Sequence, residues 1–344
     1  MRSPVSDAIS TDSPSRTATE PAWKADLEDW ALGYCARMMA SDGHAGVILG
    51  GSIARGQQWE HSDLELGYLR SADTAPIDYF ATDSGRGVER IPLTREDLER
   101  DLPLVEGGDP LPVASWPIQL FQGRVLHDPS GLLGRFMTQF DRLLFSREVV
   151  QAKIATHLAA YRATAELARQ ALDAGKPRVA LIRLRWAMNE LILVQYWTRG
   201  ELPRSQNRTD SRLRDLAERH GIPEFYRLYR DVYDLDSASS AIANDWPVIR
   251  DEVLGIAATW IGGARDFFDQ AVDSNFAWGE DGGIIGVYRI YIPIIGGDDG
   301  LFATLDDAEW AAAHPELIRF LGLTDPAAFP ALLARTEEAA ARLS

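Results

Sequence analysis

The chain has 344 residues, 46% of them hydrophobic and 25% charged, a composition typical of water-soluble globular proteins and a length sufficient for two domains. Its 51 acidic against 35 basic residues give a formal net charge of −16, which argues against a nucleic-acid partner, since holding a phosphate backbone needs clustered Lys and Arg. No apolar run approaches the ~20 residues of a membrane span, and the single cysteine, Cys35, excludes a disulfide framework and suits a reducing cytoplasm.

Residues 1–20 are rich in Ser, Thr, Pro and Asp and lack an apolar core, so a disordered tail is expected there and not a signal peptide or anchor. From residue 21 to about residue 40, Leu27, Trp30, Ala31, Tyr34 and Met38 recur at helical spacing. Cys35 lies in that pattern and reads as a small buried hydrophobe. A strand is expected over residues 45–49, followed by the Gly50-Gly51-Ser52 turn and a short helix over about residues 52–55. The N–H groups opening such a helix can face an anion.

A second strand begins around Ser62-Asp63-Leu64-Glu65-Leu66. The i, i+2 spacing of Asp63 and Glu65 puts both carboxylates on one face while Leu64 and Leu66 point to the other. Two carboxylates beside a glycine-rich turn can hold a divalent cation and a triphosphate together, the combination that phosphoryl and nucleotidyl transfer requires. An ordinary hairpin with one solvated face would also produce alternating carboxylates. The Gly-Gly-Ser turn, taken with the segments downstream, tips the reading toward the catalytic one.

Residues 71–75 read as a polar loop, and the runs 77–81 and 88–93 read as strands separated by a turn-rich stretch over 82–87. Thr94-Arg-Glu-Asp is a helix-start signature. Residues 121–131 read as a short strand running into the Asp128-Pro129-Ser130-Gly131 turn, where Asp128 has a turn role. From Ser146 the period becomes helical: Ile154, Leu158, Tyr161, Ala165 and Leu172 form one stripe, and further helices are expected over 179–196, 212–220, 224–233 and 247–272. Residues 283–297 are apolar and β-rich, and 308–343 suggest two more helices.

The segment from Gly50 to Leu66 resembles the nucleotidyltransferase superfamily of the DNA polymerase β type. Its motif is an apolar residue and Gly-Gly or Gly-Ser, then Asp-x-Asp or Asp-x-Glu inside an apolar strand. The Ser-Asp-x-Glu variant is most similar to kanamycin nucleotidyltransferase and related antibiotic adenylyltransferases. The resemblance implies an α+β architecture, with a polymerase β-like domain over 21–140 and a helical bundle over 146–274; residues 275–344 break the resemblance and read, from their own pattern, as a small C-terminal α/β extension of unassigned role. It implies Mg2+ on Asp63 and Glu65, and nucleotide contacts from Gly50, Gly51, Ser52, Arg55 and Ser62. A third carboxylate belongs on an adjacent strand, where Glu89 is the best match and Asp78 the alternative.

The implied reaction moves an NMP, AMP from ATP foremost, onto a hydroxyl of a small molecule, with an aminoglycoside-like antibiotic as one candidate acceptor. AMP transfer to a protein, as antitoxin-like nucleotidyltransferases perform, and a nucleotide-binding protein without chemistry are the alternatives. By resemblance a homodimer is also expected. In the kanamycin enzyme a helix of the second domain supplies a glutamate base and a lysine; the aligned region here, 160–164, has neither. Glu89 is the substitute base, with Glu166 and Glu190 in reserve. Trp186, Asn189, Tyr196, Trp197, Arg199 and Arg204 could line an acceptor pocket, although aromatics at helical spacing are more often core. His44, His61, His127 and His157 lack metal-ligand spacing, so no zinc is assigned.

Overall fold

A computed structural model describes residues 21–40, 44–70, 77–203, 208–238, 245–252, 264–278 and 301–343. The expected tail, the polar loop after Arg70 and the β-rich run 283–297 lie outside the described residues.

The N-terminal part is a five-stranded mixed sheet in the order β3-β4-β2-β1-β5. Its strands are β1 (His44–Leu49), β2 (Leu64–Arg70), β3 (Phe80–Asp83), β4 (Arg86–Thr94) and β5 (Arg124–His127). Neighbours run antiparallel except β2 and β4, which are parallel. Alternation along β1, β2 and β4 separates two cores. Val47, Leu49, Leu64, Leu66 and Val88 pack with Leu27, Ala31 and Cys35 of α1 (Ala22–Ala40). Ile48, Leu69, Ile91 and Leu93 point the other way, toward α3 (Arg95–Glu106) and α4 (Leu132–Leu143). Asp63, Glu65 and Glu89 share the odd-numbered parity of Leu69, Ile91 and Leu93. They therefore belong to the face that α3 and α4 cover further along.

The expected strand over 77–81 is shorter and later, because pairing with β4 begins at Phe80 opposite Glu89. The turn over 82–87 contracts to Ser84-Gly85, both at positive φ (54° and 75°), which is what a two-residue hairpin turn of the primed type requires. Thr94 caps α3 as expected, its hydroxyl accepting from the Asp97 N–H at 3.1 Å. Asp128 takes its turn role, accepting from the Gly134 N–H and the Ser130 hydroxyl.

Beyond Ser146 the described chain is helical. α5 (Arg147–Asp173) and α6 (Pro177–Thr198) form a long antiparallel hairpin joined by α7 (Thr209–His220) and α8 (Pro223–Tyr233). Phe302, Leu305, Leu317, Phe320 and Phe329, from the C-terminal helices, are buried in the same core as Leu184, Met188 and Tyr229. The helix Ala264–Trp278 instead packs on β3 and β4. Among the described residues no helix is long and apolar enough to cross a membrane.

Candidate active site

The site begins with a tie between loop and strand. The Gly50 N–H donates to the Glu65 carbonyl at 2.8 Å, which docks the glycine turn on β2. Gly51 then opens α2 (Gly51–Ala54) at φ +64°. A Cβ there would lie 1.6 Å from Glu65 Oε2, so glycine is required both by the left-handed backbone and by the carboxylate pressed against it. The Glu65 carboxylate accepts from the Ser52 backbone N–H. Ser62 is buried; its hydroxyl accepts from the Trp59 N–H at 3.0 Å and lies 3.3 Å from the Ser52 hydroxyl. Ser62 thus braces the loop that presents Asp63.

Parallel pairing places Glu65 and Glu89 at the same level of the sheet, with Asp63 just before β2. All three carboxyls are half-buried and shifted upward. Burial raises Asp63, with the Arg208 guanidinium partly offsetting it. Burial and the charges of Asp63 and Glu89 hold Glu65 well above the usual carboxylate range, against the pull of Arg55. Burial raises Glu89 to about 7, and the Tyr79 hydroxyl, which donates to its Oε1, opposes the shift. Carboxylates pushed toward their neutral form by burial, with the charge of Asp63 adding to the shift at both Glu65 and Glu89, favour a cation among them.

Oxygen donors without His or Cys match a hard cation such as Mg2+. The side chains stop short of a finished coordination sphere: among the described residues no three His, Cys, Asp or Glu groups converge closely enough to hold a metal ion. Glu65 is directed at the Ser52 N–H and Glu89 at Tyr79, so holding an ion would require both to re-aim.

Arg55 lies beside Glu65, with one guanidinium N–H donating to the Phe121 carbonyl at 3.3 Å and Nε buried without a partner. Asp78, the alternative third carboxylate, is exposed and precedes β3. Glu166 pairs with Arg169 at 2.9 Å, and Glu190 bonds His157 Nδ1 at 2.8 Å. Neither reserve base joins the three carboxylates in the interactions that shift them. The aromatics of α6 are largely core: Tyr196 and Trp197 are 5% and 1% exposed, and Trp186 packs on Phe302. Arg204 lies outside the described residues. Lys153, in the second turn of α5, stands 5.7 Å over the Trp197 ring, and burial lowers its pKa.

Sequence reading missed Tyr79, Arg208 and Ser274. The Arg208 guanidinium lies 4.6 Å from the Trp59 ring centroid, and the Ser274 hydroxyl donates to the His61 carbonyl at 3.2 Å. No local pattern marks any of them, because each reaches the site through the fold.

No family model matches the chain, and no curated protein does. Among solved structures it is similar to a nucleotidyltransferase-like protein from Exiguobacterium sibiricum, at 14% identity and a TM-score of 0.33. That likeness covers 59% of this chain and 66% of the other.

Proposed function

We propose that this protein is a nucleotidyltransferase that moves AMP from ATP to a hydroxyl of a small molecule. What supports the reading is the placement of Glu65 and Glu89 at one level of paired strands, with Asp63 just before β2, beside a turn in which Gly51 must be glycine. Asp63 and Glu65 would hold Mg2+, which when bound supplies Lewis acidity and a template for the phosphates. The N–H groups of the Gly50–Ser52 turn and the Ser52 hydroxyl would orient the phosphate chain, with Arg55 adding positive charge. Glu89, shifted to about 7, would accept the proton of the acceptor hydroxyl. The hydroxyl oxygen forms a bond to the α-phosphorus, the bond from that phosphorus to the bridging oxygen breaks, and pyrophosphate leaves with the electron pair.

The competing reading is a protein that binds nucleotide without transferring it. One observation favours it: the carboxylates do not converge as a metal cluster among the described residues. Incubation with ATP, Mg2+ and a panel of hydroxylated small molecules and proteins separates the readings. Pyrophosphate release with a one-nucleotide mass gain on an acceptor, lost by at least about a hundredfold in Asp63→Asn, is the expected outcome. Mass gain on a protein would replace the acceptor class. Tight ATP binding without pyrophosphate across the panel would favour the binding-only reading.

A further inference from the structure

A cavity of about 870 Å³ lies where α8, the C-terminal end of α6 and the helix Phe329–Ala341 meet. Its volume is that of a small-molecule pocket. None of Asp63, Glu65 and Glu89 lines it. In a chain of net charge −16 its wall departs from the average, with five arginines against four carboxylates. The carboxylates are all taken. Asp236 accepts from Arg230 at 2.9 Å, Asp231 pairs with Arg335 at 2.7 Å, and Glu338 and Glu224 lie 2.5 and 3.8 Å from Arg342. Arg199 and Arg227 remain on the wall without an ion pair among the described residues.

Arg199 is half-buried, and burial lowers its pKa, since a cation drawn from water without a counter-ion is costly. Glu201, whose charge opposes that shift, is itself held by Arg219 and His220. Gln195, 4% exposed, lines the same cavity. Arginine can only donate, so Gln195 turns its side-chain oxygen as well as its main-chain carbonyl to the Arg199 guanidinium. That orientation leaves the Gln195 amide NH2 without a partner among the described residues. Two cations lacking counter-ions and a buried amide donor on one wall are complementary to an oxyanion. Ile222, Phe225 and Leu228 on the same wall suit the apolar body of such a ligand.

We propose that this cavity is a second binding site, for a small organic oxyanion (a phosphate ester or a carboxylate) whose charged group is received by Arg199, Arg227 and the Gln195 amide. The site stands independently of the nucleotidyl-transfer reading, since it shares no residue with the carboxylate site. Its ligand supplies the counter-charge that the paired carboxylates on the wall do not give to Arg199 and Arg227.

The test is calorimetric binding of glucose 6-phosphate, succinate and, as the neutral control, glucose to the full chain in chelator, for wild type, Arg227→Gln and Arg199→Gln. Without a divalent cation the carboxylate site repels anions and does not contribute. Chloride holds the ionic strength constant, so that screening is the same throughout. Wild type is expected to bind at least one of the two anions with a Kd of about 1 mM or tighter and glucose not at all, and each variant to lose about tenfold. Tighter binding of glucose 6-phosphate identifies a phosphate ester as the ligand, and tighter binding of succinate a carboxylate. Arg227 is exposed, so its replacement leaves the core intact, and it decides the outcome if Arg199→Gln does not fold. Unchanged anion binding in Arg227→Gln overturns the proposal, as does a wild type that binds neither anion up to about 10 mM.

Discussion

Glu89 carries the clearest consequence of a single side chain's surroundings. Its carboxyl moves from an ordinary 4.5 to about 7, chiefly through burial, with the charge of Asp63 adding to the shift. The folded protein therefore binds more protons than the unfolded chain between those values. The resulting stabilisation is full below the ordinary value and is lost as pH rises through about 7. Asp63 and Glu65 shift the same way and steepen the loss. In chelator, the wild type is expected to melt higher at about pH 5 than at about pH 7.5. Glu89→Gln should flatten that slope and add about 1 kcal/mol near pH 7.5, a figure discounted for the side chain's partial solvent access. Melting curves across pH check it, and a steeper slope in the variant would count against mutual repulsion. This much of the site was legible in the sequence, because Gly51, Asp63 and Glu65 act through local backbone geometry that spacing encodes. Tyr79 and Arg208 were not, since a tyrosine before a strand and an arginine before a helix carry no local mark of what they will face.

At the scale of elements, β1, β2 and β4 were legible because each alternates between two apolar cores, and the helices because their stripes are regular; β3, of which only Ala81 packs on either core, overlaps the expected strand by two residues. Pairing was harder. The parallel match of β2 with β4, which brings Glu65 beside Glu89, depends on β3 making a tight hairpin with β4 and leaving the inner edge of β4 for β2. The outer side of that hairpin is covered by the helix Ala264–Trp278. Phe267, 9% exposed, meets the Phe80 ring at 4.5 Å and lies against Gly87, where an added Cβ would come within about 3 Å of its ring. From periodicity the segment reads as the end of the helical bundle. Nothing in its pattern reveals that its apolar face lies on strands, since a helix stripe looks alike whether it meets a helix or a sheet. Phe267→Ala is expected to cost about 3 kcal/mol and to loosen this hairpin selectively. Hydrogen exchange should quicken at the amides of β3 and the start of β4 while those of α5 and α6 keep their protection. Uniform loss across both regions would mean that the helix supports the whole molecule and not the sheet edge.

Across the whole molecule, the chain's end belongs to the helical core although it reads as a separate extension. Phe302, Leu317, Phe320 and Phe329 are buried against α5, α6 and α8, and one buried cation secures the junction. Arg185 of α6 is 1% exposed. Its guanidinium donates to the carbonyls of Val232, at 3.0 Å, and Gly322, at 2.8 Å, and also to that of Leu321. Val232 lies in the last turn of α8, and Leu321 and Gly322 follow the helix Pro315–Phe320 directly. These are helix C-termini, where carbonyls lack intrahelical donors and the dipole's negative end favours a cation. Burial alone would make a charged arginine costly, and it does lower the group's pKa to about 10. Two helix ends supply most of its hydrogen bonds, and the charge of Asp234 adds to the compensation. A buried cation can be replaced by a well-packed apolar side chain at little cost when its partner is removed too. Here the partners are backbone and stay behind. Arg185→Met, of similar length, is therefore expected to lose about 3–5 kcal/mol, measured by urea unfolding, and to render the 321–323 turn sensitive to limited proteolysis. A neutral substitution would mean that water satisfies those carbonyls equally well, and would reduce Arg185 from a clasp between α8 and the C-terminal helices to a passenger in their interface.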